Sequence, residues 1–199
     1  MTNIYVETKN KFTPEYVFLS TLITRIGIEP ESYEIVPLGG KDNLKNAGNS
    51  FKQNTILGGK NIIIFDADTP ATHGGYTKSL QNIKTTITEM DICVEDIFLY
   101  PNNQDDGIFE NILENIMRKD LHKRWLDCYT DYEKCLGNEY QSPNLKGKLH
   151  TYLTSQKDIS KTKKNKIGQG QWLFDNPSYW DLENQYLTPI KDFLKQHLQ

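Results

Sequence analysis

Short apolar runs alternate with amphipathic segments through the first part of the chain. Four runs rich in β-branched or aromatic residues predict strands at residues 4–6, 33–36, 62–65 and 97–99. The third run is continuous and apolar, with two glycines before it and an aspartate after it. Such a run is typical of a central parallel strand that is buried on both faces.

Between these runs, apolar residues recur three or four positions apart, which predicts helices. The predicted helices cover residues 13–26, 43–53 and 77–90, and a further helix begins near Gly107. Strands and helices in alternation indicate βαβ units with right-handed crossovers. We therefore expect an α/β fold, with a Rossmann-like parallel sheet of about four strands flanked by helices.

Beyond about Arg118 the strand signals fade, and helical spacing predicts helices at residues 121–136, 145–155 and 188–198. Residues 157–166 are polar and rich in lysine, which favours a solvated loop, and contact of these lysines with nucleic acid is the alternative. The aromatic residues between 172 and 180 need burial, so this part should cover the sheet or form one wall of a cleft. The chain is therefore interpreted as an α/β domain at 1–118 with a mostly helical C-terminal extension at 119–199 packed on it.

The composition of the chain excludes several classes of protein. The chain is 37% hydrophobic and 25% charged, with a net charge of −3, so it should fold without a general basic surface for nucleic acid. Contact with phosphate must come from a local patch or through a metal ion. No stretch reaches membrane-spanning length, so we expect a cytoplasmic protein with no membrane partner. Three cysteines without Cys-x-x-Cys spacing, Cys93, Cys128 and Cys135, are expected to be reduced and buried.

Acidic residues follow two of the predicted strands. Glu7 closes the first strand, and Asp66 and Asp68 close the third. Ligands of open parallel sheets bind outside the carboxyl ends of the strands, and side chains two apart on a strand point the same way. If the extended conformation persists, the two aspartates can both reach one Mg²⁺ ion, which prefers oxygen ligands. The alternative is that the aspartates only cap a turn after the strand.

Glycines and a lysine follow the second predicted strand, at Gly39, Gly40 and Lys41. Backbone amides and the lysine could approach a phosphate group there. The spacing does not fit a Walker A loop, and a tight strand-to-helix turn is the alternative.

Four ordered blocks resemble a bacterial Toprim-related family of unknown function, DUF3226, near DUF4435 and the OLD-type Toprim proteins. The blocks are Ile4-Tyr5-Val6-Glu7, Gly39-Gly40-Lys41-Asp42-Asn43-Leu44, Ile63-Ile64-Phe65-Asp66-Ala67-Asp68, and Pro101 with Gly107-Ile108-Phe109-Glu110. Weaker likeness continues to the C-terminus, so the resemblance covers most of the chain. It implies a Toprim fold, which is found in topoisomerases, primases, recombination proteins and nucleases.

The resemblance also implies roles for individual residues. Glu7 would act as the general acid or base, and Asp66 and Asp68 would bind Mg²⁺, with Mn²⁺ as a substitute. Glu110 matches a family block and could add an acid to the metal site, although acids at a helix start are common without function. The likeness also supports a phosphate-binding role for Lys41 beside Gly39 and Gly40.

One departure from the family pattern concerns the loop after Glu7. The glutamate is typically followed by glycine and then an acidic residue, whereas here Thr8-Lys9-Asn10-Lys11 follows. This basic loop implies either a cation site of altered geometry or a phosphate contact from Lys9 or Lys11.

Three functions are compatible with these features. The first is metal-dependent phosphodiester chemistry on nucleic acid, as in a nuclease or related phosphotransferase. The second is a non-catalytic regulatory module that binds nucleic acid or a nucleotide, in phage defence or DNA maintenance. The third is a receiver-like nucleotide-binding protein. The expected partner is nucleic acid, with DNA favoured over RNA, or a nucleotide. The chain could be a monomer or a homo-oligomer.

Overall fold

The computed structural model describes residues 1–199 and contains four strands and eight α-helices. The strands are β1 (Thr2–Val6), β2 (Tyr33–Pro37), β3 (Lys60–Asp66) and β4 (Asp96–Tyr100). The helices are α1 (Pro14–Arg25), α2 (Gly48–Ile56), α3 (Tyr76–Met90), α4 (Phe109–Ile116), α5 (Lys123–Leu136), α6 (Leu145–Thr154), α7 (Lys161–Gly168) and α8 (Thr188–Leu198). Short 3-10 helices lie at Pro30–Ser32, Lys41–Ala47, Pro70–Thr72 and Gln185–Leu187.

The four strands form one parallel sheet in the order β2-β1-β3-β4. This arrangement confirms the predicted α/β fold with helices around a four-stranded parallel sheet. The chain leaves β1 toward one side to form β2 and then returns past β1 to form β3 on the other side. The crevice between the carboxyl ends of β1 and β3 is therefore the topological switch point, where open α/β sheets bind ligands.

Alternating strand residues face two separate hydrophobic cores. The larger core receives Val6, Ile62 and Ile64 and packs against α1, α4, α6 and α8. The smaller core receives Tyr5 and Phe65 and packs against α2 and α3. The sheet is therefore buried on both faces, which explains the uninterrupted apolar sequence of β3.

The aromatic residues near the C-terminus belong to the larger core. Trp172, Phe174, Tyr179 and Trp180 are all buried. The Trp180 indole N–H donates to the Trp172 carbonyl oxygen at 2.8 Å, and the Tyr152 hydroxyl donates to the Tyr179 carbonyl oxygen at 3.1 Å. The C-terminal residues thus share one continuous core with the sheet, and the domain boundary near residue 118 stays a prediction.

Two local predictions were wrong, and a third, the helix at 43–53, differs in its bounds and helix type. The lysine-rich segment at 157–166 is not a loop throughout, because α7 forms within it. The Ser160 hydroxyl accepts from the Lys163 amide at 3.3 Å and caps this helix, and Ile167 anchors it in the larger core. Lysine is a good helix former, so a single buried anchor suffices to hold the helix against the protein.

The helix predicted at 43–53 is instead divided between the 3-10 helix Lys41–Ala47 and α2. The cysteines are exposed rather than buried: Cys93 lies in the turn between α3 and β4, and Cys128 and Cys135 lie on α5. No helix of the protein combines the length and the apolar character that crossing a membrane would need.

Candidate functional site

Glu7 and Asp66 meet at the carboxyl edge of the sheet, between β1 and β3. The Asp66 backbone N–H donates to Glu7 Oε1 at 3.2 Å. The Asp66 carboxylate in turn accepts from the Phe109 amide at 2.7 Å, which belongs to the first residue of α4. The first amides of a helix have no partner within the helix and carry partial positive charge. The N-terminus of α4 therefore fixes the orientation of this carboxylate. The pairing of the two central strands thus brings together two acids that lie far apart in sequence.

Asp68 takes a different orientation from the one predicted. The strand ends at Asp66, and Asp68 has a left-handed backbone with a φ of 61°. Its carbonyl oxygen accepts from the Gly107 amide at 2.8 Å, and its carboxylate accepts a hydrogen bond from Lys41 Nζ. The expectation that Asp66 and Asp68 share one strand face was wrong, because the chain turns before the alternation can continue.

Two further acids lie at the same edge. Glu15 occupies the first turn of α1 and is partly buried, and Glu110 occupies the first turn of α4. Glu110 lies 3.7 Å from Lys146 Nζ, whereas Glu15 forms neither an ion pair nor a side-chain hydrogen bond. We call Glu7, Glu15, Asp66, Asp68 and Glu110 the acidic cluster.

Glu15 was not among the site residues predicted from the sequence. A signal was present, because the helix that follows the first strand begins at the carboxyl edge of the sheet in any βαβ unit. A glutamate in the first turn of that helix therefore lies near acids at the ends of the strands. Acids in a first helical turn are common because they stabilise the helix. The sequence therefore does not distinguish an acid of the site from an acid that only stabilises the helix.

Three acids of the cluster, Glu7, Glu15 and Asp66, are partly buried and form no ion pair, whereas Asp68 and Glu110 lie near lysines. Burial raises the pKa of Glu7 to about 7, and the Asp68 carboxylate adds to this effect. Burial also raises the pKa of Asp66 well above its ordinary value, with Glu7 as the next cause. The pKa of Glu15 is raised well above its ordinary value by burial and then by Asp66 and Glu7. In the folded protein these carboxyls hold protons more tightly unless a positive charge arrives.

Tyr100 adds a buried polar group beside these acids. Its side chain is fully buried, and its hydroxyl has no hydrogen-bond partner. Burial raises the pKa of this hydroxyl well above its ordinary value, and the neighbouring Glu15 and Asp66 carboxylates raise it further. The hydroxyl remains protonated and is a free donor at the edge of the acidic cluster.

A cleft of about 470 Å³ adjoins Glu7 and Asp66. It lies between the 3-10 helix Lys41–Ala47 and α3, and its walls carry Lys45 and Asn82. His73, which the sequence analysis did not include among the candidates, also lines this cleft. Most of the residues that line the cleft are polar or charged, so it suits a charged or strongly hydrogen-bonding ligand.

Gly39 and Gly40 form the turn that leads from β2 into this wall. Both have positive φ angles, of 79° and 125°, which favour glycine. The Gly39 amide donates to the Thr8 carbonyl oxygen at 2.9 Å and so is already satisfied within the protein. Lys41 follows the turn and reaches Asp68, while Lys9 is exposed and has no ion-pair partner.

The acidic cluster offers hard oxygen donors, which suit Mg²⁺ or Mn²⁺. In the observed side-chain orientations, however, no group of three or more His, Cys, Asp or Glu residues could hold a metal ion. Asp68 turns toward Lys41, and Glu110 lies near Lys146. The donor atoms are of the type that a divalent cation prefers, but in these orientations they are not arranged to hold one, and two of the acids lie near lysines.

The fold and the site together define an α/β protein with a parallel sheet and an acidic, polar cleft at the switch point. A family model described as "Protein of unknown function (DUF3226)" matches residues 3–199. The chain belongs to the DUF3226 family, and the assignment made from the four sequence blocks is confirmed. The wider link to Toprim proteins remains an expectation. Neither a curated protein nor a solved structure matches the chain.

Proposed function

We propose that the protein binds Mg²⁺ through Glu7, Asp66 and Asp68 and carries out metal-dependent phosphodiester chemistry on nucleic acid, as a nuclease does. The observation that supports this proposal is the contact between Glu7 and Asp66 at the switch point. Both acids have raised pKa values, so a divalent cation would relieve an existing electrostatic cost.

Each residue has a defined task in this proposal. Bound Mg²⁺ would neutralise phosphate charge and activate water. Glu7 lies beside Asp66 and would take up and release the proton of the attacking water. Lys41, once Asp68 turns from it to the cation, becomes free to contact a phosphate oxygen at the mouth of the cleft.

A second candidate is a non-catalytic module that binds nucleic acid or a nucleotide. The observation that favours it is the pairing of Asp68 with Lys41 and the proximity of Glu110 to Lys146. These lysines supply part of the positive charge that a metal ion would bring. In such a module the lysines would stay on the acids, and no turnover would follow.

Calorimetric titration with Mn²⁺ tests the proposal. We expect the wild type to bind Mn²⁺ and the Asp66→Asn/Asp68→Asn double variant to bind it at least about tenfold more weakly, since both ligands lose their charge. Asp131→Asn is the matched control, because Asp131 is exposed on α5 and pairs only with Lys134. Equal affinities of the double variant and the wild type would rule out this cation site.

Removal of the competing lysine should strengthen cation binding. Lys41→Met keeps an apolar stem of similar length and removes the charge that neutralises Asp68. A partly exposed ion pair contributes up to about 1 kcal/mol, so we expect Mn²⁺ affinity to rise by about fivefold. The same titration measures it, with Lys52→Met on α2 as the control. Weaker Mn²⁺ binding by Lys41→Met would show that Lys41 supports the site rather than competes with the cation.

A further inference from the structure

A second concave surface lies beside the acidic cluster. It is a groove of about 570 Å³ formed by residues 10–14, α6 and the C-terminal end of α7. Lys146 lines this groove and lies 3.7 Å from Glu110, and Pro14 lines it next to Glu15 in the chain. Lys146 thus lies between this groove and Glu110 of the acidic cluster. We call this surface the basic groove, because Lys9 and Lys11 adjoin its lining residues Asn10 and Phe12 in the chain.

The exposed aromatic ring of Phe12 lines this groove. Phe12 is 63% exposed, although it is a large apolar side chain. Its amide donates to Asn10 Oδ1 at 2.9 Å. The loop also packs closely on Gly170, where an added Cβ atom would clash with the Phe12 carbonyl oxygen. The backbone is thus held firmly while the ring faces solvent, which suits a surface for stacking.

The charge around Phe12 is positive. Lys9 and Lys11 precede it in the same loop, and both are exposed and have no carboxylate within 4.0 Å. The helix α7, whose C-terminal end forms one wall, carries four more lysines that form no ion pair. These are Lys161, Lys163, Lys164 and Lys166. These six lysines are not in the lining of the groove but lie on the two segments that border it, and their unpaired charge complements a phosphate backbone.

We propose that the basic groove binds single-stranded nucleic acid, with an unpaired base stacked on Phe12 and backbone phosphates held by Lys9 and Lys11. Stacking on an exposed aromatic ring beside lysines is the way proteins hold single strands, and a duplex keeps its bases inside. The proposal deepens the proposed function, since it names the substrate class and the route by which a strand reaches the acidic cluster. Binding itself needs no metal and no cleavage.

Fluorescence anisotropy in EDTA tests this proposal with labelled oligothymidylate and oligouridylate as probes. We expect both strands to bind, and a mixed-sequence duplex to bind at least about tenfold more weakly because its bases are unavailable for stacking. Phe12→Ala should weaken single-strand binding by about tenfold, and Phe12→Trp should retain it. Preference between the two strands then tells whether DNA or RNA is the better ligand.

Salt dependence separates phosphate binding from stacking. Log affinity falls as log salt rises, and the Lys9→Gln/Lys11→Gln variant should make this fall less steep. The magnitude of the slope should decrease by about 0.7 for each phosphate that the variant no longer neutralises. The control is Lys52→Gln/Lys84→Gln, which removes two exposed lysines on α2 and α3, away from the groove, and should leave the slope unchanged. Phe12→Ala should leave the slope nearly unchanged while it lowers the affinity, since it removes no charge.

The outcomes distinguish this proposal from the proposed function. Equal single-strand affinity for the wild type and Phe12→Ala, or tighter binding of the duplex, would overturn the groove proposal even if the protein cleaves nucleic acid. Conversely, the wild type should still bind the single strand in EDTA, where no metal ion is available. If the wild type binds the single strand in EDTA but neither binds Mn²⁺ nor cleaves, the groove proposal stands and the metal-dependent function fails.

Discussion

The Asp66→Asn and Asp68→Asn variants are each expected to cleave nucleic acid about a thousandfold more slowly than the wild type, at a Mg²⁺ concentration that just saturates the wild type. A metal ion that stabilises transition-state charge contributes several kcal/mol, and each 1.4 kcal/mol corresponds to about a tenfold change in rate. The measurement is the initial rate on labelled single-stranded DNA and RNA.

The asparagine substitutions are chosen to leave the fold intact. In the Asp66→Asn variant, the amide carbonyl oxygen of the new side chain can still accept the hydrogen bond from the Phe109 amide. Asparagine is also one of the few residues that tolerate the left-handed backbone found at Asp68. A decrease in rate would therefore report the removal of carboxylate charge rather than unfolding, which circular dichroism can verify.

Asp131→Asn serves as the control here as well and should cleave at the wild-type rate. Addition of EDTA should stop cleavage by the wild type. If the double variant and the wild type cleave equally fast, the activity belongs to a contaminating nuclease and the enzymatic proposal is wrong. If none of these proteins cleaves any strand while the wild type binds Mn²⁺, the non-catalytic module is the better description.

In EDTA, the protein is expected to lose stability as the pH rises from about 4.5 to about 7. The pKa of Glu7 rises from an ordinary value of 4.5 to about 7 in the folded protein. Between these values the folded protein holds a proton that the unfolded chain has released, so stability falls as pH increases. Above pH 7 the charged, buried carboxylate costs about 3 kcal/mol. The raised pKa values of Asp66 and Glu15 act in the same direction.

Glu7→Gln should therefore be about 3 kcal/mol more stable than the wild type near pH 8, and nearly equal to it at pH 4 or below. The glutamine side chain keeps an oxygen that accepts from the Asp66 amide, so only the charge changes. Urea unfolding in EDTA across this pH range measures the effect. Glu139→Gln, which changes an exposed glutamate outside the cluster, is the control and should follow the wild-type curve.

Addition of Mn²⁺ near pH 8 should raise the stability of the wild type more than that of Glu7→Gln, because the cation supplies the countercharge that the buried Glu7 carboxylate lacks. A wild-type stability that does not change between pH 4.5 and 7 would show that the Glu7 carboxylate is solvated in the folded protein. The electrostatic argument for a cation at this edge of the sheet would then fail.

Part of the acidic cluster could be predicted from sequence because it depends on strand ends alone. Glu7 and Asp66 each follow an apolar β-branched run, and the carboxyl ends of parallel strands lie at one edge. That β1 and β3 are neighbours is a matter of strand order, which the runs themselves do not encode. The pairing of these two strands is what brings the Asp66 amide to Glu7.

Other parts of the site could not be predicted from the sequence, because they depend on the conformation of a turn and on residues from distant segments. The i, i+2 pattern at Asp66 and Asp68 fails because the backbone becomes left-handed at Asp68, and Lys41 from another loop then binds its carboxylate. In the sequence, Glu15 resembles any acid in the first turn of a helix, so nothing local marks it as a site residue. Only the packing of α1 on the sheet places it near Asp66.

The sequence by itself determined the α/β class, the four strands and the acids at the ends of two of them, because hydrophobic periodicity and strand ends are local properties of the chain. Tertiary structure alone decided the strand order, the burial that raises the pKa of Glu7, and the position of Phe12 against Gly170. These features arise from contacts between segments far apart in the chain, and their energies depend on distance and desolvation, which no local pattern specifies.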